Sequence, residues 1–180
     1  MRVISGSARG IVLKSPDGML TRPTADRVKE AMFSILQFDL PGAKVLDLFG
    51  GTGQLGIEAL SRGASAAVFV DERDAACKII RENLSKTGFA NYSRVVRSDY
   101  VSYLRSCKEK YNIILLDPPY TEVFLENSLK MITEIDILQS GGIIVAEHPA
   151  EKTLYAKFEG LIHSKDYRYG KTVLTLFRKV

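Results

Sequence analysis

The chain has 180 residues, 46% hydrophobic and 26% charged, which is the size and balance of one soluble globular domain with a sizeable core. No apolar run approaches the ~18 residues of a membrane span, and the opening MRVISGSARG lacks the apolar core of a signal peptide. The two cysteines, Cys77 and Cys107, lie far apart without a C-x-x-C, which argues against a disulfide scaffold and against zinc and fits the expected location, a reducing cytoplasm.

The net charge of +4 is unevenly spread. Residues 1–30 carry six basic against three acidic side chains and residues 152–180 seven against two, so the two ends hold +3 and +5 and the body between them −4. Basic ends around an acidic body suit a polyanion such as nucleic acid. A merely soluble surface is an equal competitor on charge alone.

In chain order, VISGSARGIVLKS reads as a short β-ribbon turning at Gly6 to Gly10. RPTADRVKEAMFSILQF reads as a helix with Thr24 as its cap and Val28, Ala31, Met32, Ile35 and Leu36 as its apolar stripe. Strand-like runs follow at 44–49, 66–71, 93–98, 111–117 and 141–148, with helical patterns at about 54–62, 73–87, 99–108 and 121–136 between them. That alternation predicts a parallel sheet covered on both faces. Two last strands, near 160–167 and 172–178, leave no room for a crossover helix and predict an antiparallel hairpin.

DLFGGTGQLG, at 47–56, contains the spacing Gly51, Gly53, Gly56, with Asp71 twenty residues after the first, as in a dinucleotide fingerprint. Gly50 and Gly51 permit positive φ and a close approach of the backbone to a ligand, Gly53 is expected to open a helix, and Gly56 to let it pack on the sheet. A tight turn without a ligand would not need four glycines in seven residues. The choice of ligand falls to Asp47. A carboxylate there repels a pyrophosphate bound at a helix N-terminus but attracts a cation. S-adenosylmethionine carries an ammonium and a sulfonium and no phosphate. Asp71 suits ribose hydroxyls in either ligand class. Asp74 is expected to cap the next helix, and Asp99 to be either a cap or an acceptor for the adenine amine. The expected cofactor set is Asp47, Phe49, Gly50, Gly51, Thr52, Gly53, Asp71, Glu72 and Asp99.

DPPY, at 117–120, ends the fourth strand where doubly wound folds build their sites. Pro118 and Pro119 stiffen the bend. The Asp117 carboxylate and the Pro118 carbonyl suit the two N–H bonds of an exocyclic amine, and Tyr120 suits stacking on its ring. Holding both hydrogens frees the nitrogen lone pair, so orientation and electrostatics carry the reaction. The expected catalytic group is thus Asp117, Pro118, Pro119 and Tyr120, and no metal is expected.

RPTADRVKEAMFSIL, VLDLFGGTGQLGIEALSRGA and DPPY, in that order, resemble the bacterial 16S rRNA guanine-N2 methyltransferases of the RsmD type, over essentially the whole chain. Gly50 stands where that family commonly has Ala. The resemblance implies an α/β, class I S-adenosylmethionine-dependent methyltransferase fold: Rossmann-like, seven strands, mostly parallel, with a C-terminal antiparallel hairpin and an N-terminal ribbon and helix. It implies one domain over 1–180, with 1–40 as a substrate-binding extension, and N2-methylation of a guanine in 16S rRNA of the 30S subunit or an assembly intermediate. It also implies that Arg9, Arg22, Pro23, Thr24 and Arg27 lie near the RNA, in a monomer with no membrane partner. The competing readings are adenine-N6 methylation of DNA or rRNA, protein glutamine methylation, NAD-dependent oxidoreduction, and a non-catalytic RNA-binding module.

Overall fold

A computed structural model of the chain describes residues 1–16, 23–119, 122–152, 154 and 158–180, without the side chains of 23–25 and 122. Seven strands are described: β1 (Lys44–Asp47), β2 (Ala66–Asp71), β3 (Ser93–Arg97), β4 (Tyr111–Leu116), β5 (Leu138–Pro149), β6 (Leu161–Tyr169) and β7 (Thr172–Lys179). They form one sheet in the order β3-β2-β1-β4-β5-β7-β6. The first five are parallel, and β7 runs antiparallel to both β5 and β6. The short β-branched runs sit at the sheet centre, where both faces are covered and only continuous apolar sequence is tolerated. The predicted hairpin is present at the end of the chain.

Helices α1 (Pro23–Ile35), α2 (Gln54–Ser61) and α3 (Asp74–Thr87) cover one face, packing Met32, Phe33, Ile57 and Ile80 against Val45, Phe69, Ile113 and Val145. Helices α4 (Tyr100–Ser106) and α5 (Glu122–Ile135) cover the other, with Leu104, Leu129 and Ile132 against Leu46, Val70, Ile114 and Ile144. Among the described residues no helix is long and apolar enough to cross a membrane. Strand order reverses between β1 and β4, and loops leaving their ends diverge to opposite faces, which opens a crevice at that edge.

The expected ribbon forms, with an Arg2–Val12 bridge and a Val3–Ile11 backbone bond of 3.0 Å. Its docking is set by polar groups that the helix patterns hide. Glu58 of α2 is fully buried; its carboxylate accepts the Ile4 and Ser5 N–H groups at 2.8 and 3.0 Å and the Arg62 Nε–H at 2.8 Å. Ser61 Oγ donates to the Ser5 carbonyl and accepts the Ala8 N–H. Asn83 of α3 accepts the Lys14 N–H and donates to the carbonyls of Lys14 and Thr52, joining the ribbon to the glycine loop. Buried polar groups persist only when paired like this.

Two expected caps move. Thr24 lies inside α1 (Pro23–Ile35) and does not precede it. Arg73 precedes α3, and Asp74 is that helix's first residue, paired with Lys78 one turn on at 2.8 Å. An acid there still meets the positive end of the helix dipole.

Candidate active site

Four parallel strands end in a carboxylate at the crevice edge. Asp47 closes β1 and Asp71 closes β2; Asp117 follows β4, and Glu147 lies beside it on β5, one step beyond the Leu116–Ala146 pair. Side chains alternate across a strand, so all four face the side covered by α1, α2 and α3. In strand order they form a row: Asp71, Asp47, Asp117, Glu147. Among the described residues no group of three acidic, His or Cys side chains could hold a metal ion.

Asp47 is 1% exposed. Its Oδ2 accepts the Gly56 N–H at 3.1 Å, while its Oδ1 is buried with no partner. Burial pushes its pKa up to about 7; the Gly56 N–H and, more weakly, the Phe49 N–H oppose that shift, and Asp117 and Asp71 add to it. An orphaned buried carboxylate oxygen costs free energy until a donor reaches it. A cationic N–H donor fits this vacancy and a phosphate does not. Burial likewise raises Asp117, and burial together with Asp117 raises Glu147.

Asp71 behaves differently. Burial pulls it up, but bonds from the Arg73 guanidinium and N–H and from the Gly51 N–H outweigh burial and hold it below the ordinary range. Gly51 N lies 2.9 Å from Oδ2, and the guanidinium grips both oxygens at 3.0 Å. The carboxylate therefore ties the glycine loop to β2. Arg73 is itself 63% exposed, so ribose hydroxyls could take its place. Asp99 caps α4 through a 2.9 Å bond from the Ser102 N–H to its Oδ1, and the Ser102 hydroxyl and Val101 N–H also bond its carboxylate.

In the glycine loop, Gly51 (φ +57) and Gly53 (φ +80) lie in the left-handed region, and Gly53 precedes α2. A side chain at Gly51 would meet only the Phe49 carbonyl, at 3.9 Å, so the loop is open on that side. Gly50 does not use that freedom and is not left-handed. Its backbone N–H donates to the Val70 carbonyl at 2.8 Å, and a Cβ would press on the tip of Ile80 at 2.9 Å, so the family's usual Ala requires that flexible end to shift. A Cβ at Gly56 would lie 2.2 Å from the Phe69 ring; that glycine sets the approach of α2 to the sheet. Thr52 is buried and Glu72 exposed. Phe49, Tyr100 and Phe124 stack with centroids 5.5 to 6.3 Å apart, an aromatic wall where β1, α4 and α5 meet.

Pro118 is buried and Pro119 exposed, while Tyr120 and Arg22 lie outside the described residues, as do the side chains of Pro23 and Thr24. Arg9 and Arg27 are exposed and make no ion pair among the described residues. Lys29, counted with the basic end, is 2% exposed; its Nζ donates to the Arg2 carbonyl at 2.8 Å, with Glu58 at 4.0 Å. It belongs to the ribbon clamp and is lost to any polyanion surface. Glu147 escaped the sequence reading, although its signal matches that of the three aspartates: an acid closing an apolar strand.

A family model described as conserved hypothetical protein 95 matches residues 1–178. The Bacillus subtilis protein YlbH is 39% identical over 99% of both chains. Ribosomal RNA small subunit methyltransferase D of Escherichia coli is 35% identical over 86% of this chain and 77% of its own. The solved structure of yhhF from Escherichia coli superposes with a TM-score of 0.90 at 32% identity, covering 99% of this chain and 97% of that one. The sheet is that of the class I methyltransferases, and the chain belongs to the conserved hypothetical protein 95 family, the family of the ribosomal RNA small subunit methyltransferases D.

Proposed function

We propose that the chain transfers the methyl group of S-adenosylmethionine to the exocyclic N2 amine of a guanine in 16S rRNA, within the 30S subunit or an assembly intermediate. The observation that carries this reading is the orphaned, buried Asp47 oxygen one strand away from Asp117 and Pro118. A cation acceptor and an amine acceptor adjoin at one sheet edge. The names of the matched relatives supply the RNA class.

In this reading Asp47 receives the ammonium of the amino-acid end, the open side of Gly51 lies along the ligand, and Asp71 with Glu72 and Asp99 receives the ribose and adenine. The bound cofactor supplies an electrophilic methyl and a neutral leaving group. Asp117 and the Pro118 carbonyl accept the amine N–H bonds and turn the lone pair toward that methyl. Crowded carboxylates favour the positive nitrogen that results, and the Asp117 carboxylate takes the proton it then sheds to leave neutral N2-methylguanine. Tyr120 stacks on the base. Residues 1–40, with Arg9, Arg22, Pro23, Thr24 and Arg27, form the RNA-facing extension, and its tie to Thr52 through Asn83 would align RNA with cofactor.

The test is transfer of labelled methyl to 30S subunits lacking the modification, with the product mapped by mass spectrometry. N2-methylguanine at one 16S position is expected. Label in adenine, in DNA or in protein, or no label at all, overturns the reading.

A further inference from the structure

We infer that Glu147 accepts the ring N1–H of the target guanine and thereby selects guanine over the other amine-bearing bases. The inference rests on the guanine-N2 reading. The Leu116–Ala146 pair puts Asp117 and Glu147 side by side on neighbouring parallel strands, pointing to the same face. Strand spacing sets them about 5 Å apart. Both carboxylates are partly buried, and among the described residues neither makes a hydrogen bond or an ion pair. Two adjacent acceptors held without donors suit a ligand that brings two adjacent donors.

The chemistry of the bases decides which ligand that is. In guanine the N2 amine is flanked by N1, which carries a hydrogen. In adenine the N6 amine is flanked by N1 and in cytosine the N4 amine by N3, both bare lone pairs. A carboxylate next to the amine acceptor therefore gains a charge-assisted bond from guanine and faces repulsion from the other two. Burial raises Asp117, and burial followed by the neighbouring Asp117 raises Glu147, so a ligand that donates N–H bonds to the pair favours their ionised forms. Asp117 and Pro118 then hold the reacting amine, while Glu147 checks the atom beside it and is a specificity residue.

The probe is a 30S subunit reconstituted with either guanine or 2-aminopurine at the methylated position. 2-Aminopurine keeps the N2 amine and has an unprotonated N1. The wild-type protein should lose at least about 100-fold in kcat/KM on 2-aminopurine, since a site built to bond a hydrogen strongly rejects an analogue without it. Glu147→Gln can turn its amide N–H to the bare N1, so it should lose rate on guanine and bring the two substrates within about tenfold of each other. Equal rates of the wild-type protein on both probes, or an unchanged ratio in Glu147→Gln, overturns the inference. The wild-type comparison needs no variant and stands even if the substitution impairs folding. Failure of the underlying reading is separate: the wild-type protein would then leave the guanine subunit unmethylated.

Discussion

At the edge where the parallel strands begin, Glu109 lies between Lys44 and Arg94, and Asp136 between Lys110 and Lys179. Both acids are held below their ordinary pKa, Glu109 by Lys44 first and Asp136, at about 2, by Lys110 and then Lys179. At the edge where the strands end, Asp47, Asp117 and Glu147 have no cation beside them among the described residues, and all move up. One sheet thus carries the same functional group in two opposite states. The contrast separates charge that solubilises from charge kept unsatisfied, and unsatisfied charge is where a cationic or donor-rich ligand is to be sought.

The comparison is most sharply broken at Asp117. Asp117→Ala should lower methyl transfer by about 1,000-fold, the scale of losing one preorganised transition-state contact, with cofactor affinity changed only severalfold. Single-turnover transfer and calorimetric titration with S-adenosylmethionine check both halves. An intact rate, or a collapse of cofactor affinity, would reverse the roles given to Asp117 and Asp47.

Asp47→Asn is next in size. The amide oxygen still accepts the Gly56 N–H, but the charge facing the ligand ammonium is gone, so cofactor affinity should fall about 100-fold, the cost of a charge-assisted bond. The empty protein should gain. A folded pKa of about 7 against the usual 3.8 means that the native state holds a proton the unfolded chain has lost between those values. Stability therefore falls as pH rises from about 4 to 7, by ~4 kcal/mol at most from this residue. Thermal melting of the wild-type protein should drop across that window more steeply than that of Asp47→Asn.

The same proton governs affinity. An ammonium needs Asp47 ionised, so binding below pH 7 must first expel the proton, and the dissociation constant of S-adenosylmethionine should rise by up to about tenfold per pH unit from 7 down to 5. The slope should be shallower in Asp47→Asn, and equal slopes would remove Asp47 from the ammonium site.

The strands and helices were legible because runs such as NIILL and AAVFV match buried parallel strands and the intervening stripes match helices. Asp47, Asp71 and Asp117 were legible as strand ends beside glycines or prolines that flag a turn. Glu147 ends the same kind of run, but β5 stays paired with β7 as far as Pro149, so the strand does not stop at the acid. The ribbon clamp left no local trace. Glu58, Ser61 and Asn83 look like ordinary polar helix residues, and their partners are more than fifty positions away. Thr24 and Asp74, expected as caps, lie inside their helices, and for Asp74 the reason is that an acid is as favourable inside the first turn as before it.

The smallest effect belongs to the other edge. Glu109 is 34% exposed, and its partners Lys44 and Arg94 reach it from partly solvated positions. Pairs of this kind are worth about 0–1 kcal/mol and are screened by salt. Glu109→Gln should therefore lower the melting temperature by no more than about 4 °C in dilute buffer, with less difference at 1 M salt. Methyl transfer and cofactor affinity should match the wild-type protein, because the substitution changes charge at the far end of the strands from Asp47. Its stability deficit should also be lost as pH falls through the unfolded carboxylate range, opposite in sign to the Asp47 effect: a depressed acid stabilises only while ionised, whereas an elevated one stabilises by staying protonated. If Glu109→Gln changed the pH slope of cofactor binding as Asp47→Asn does, the two edges would not be electrostatically separate, and the division drawn between them would fail.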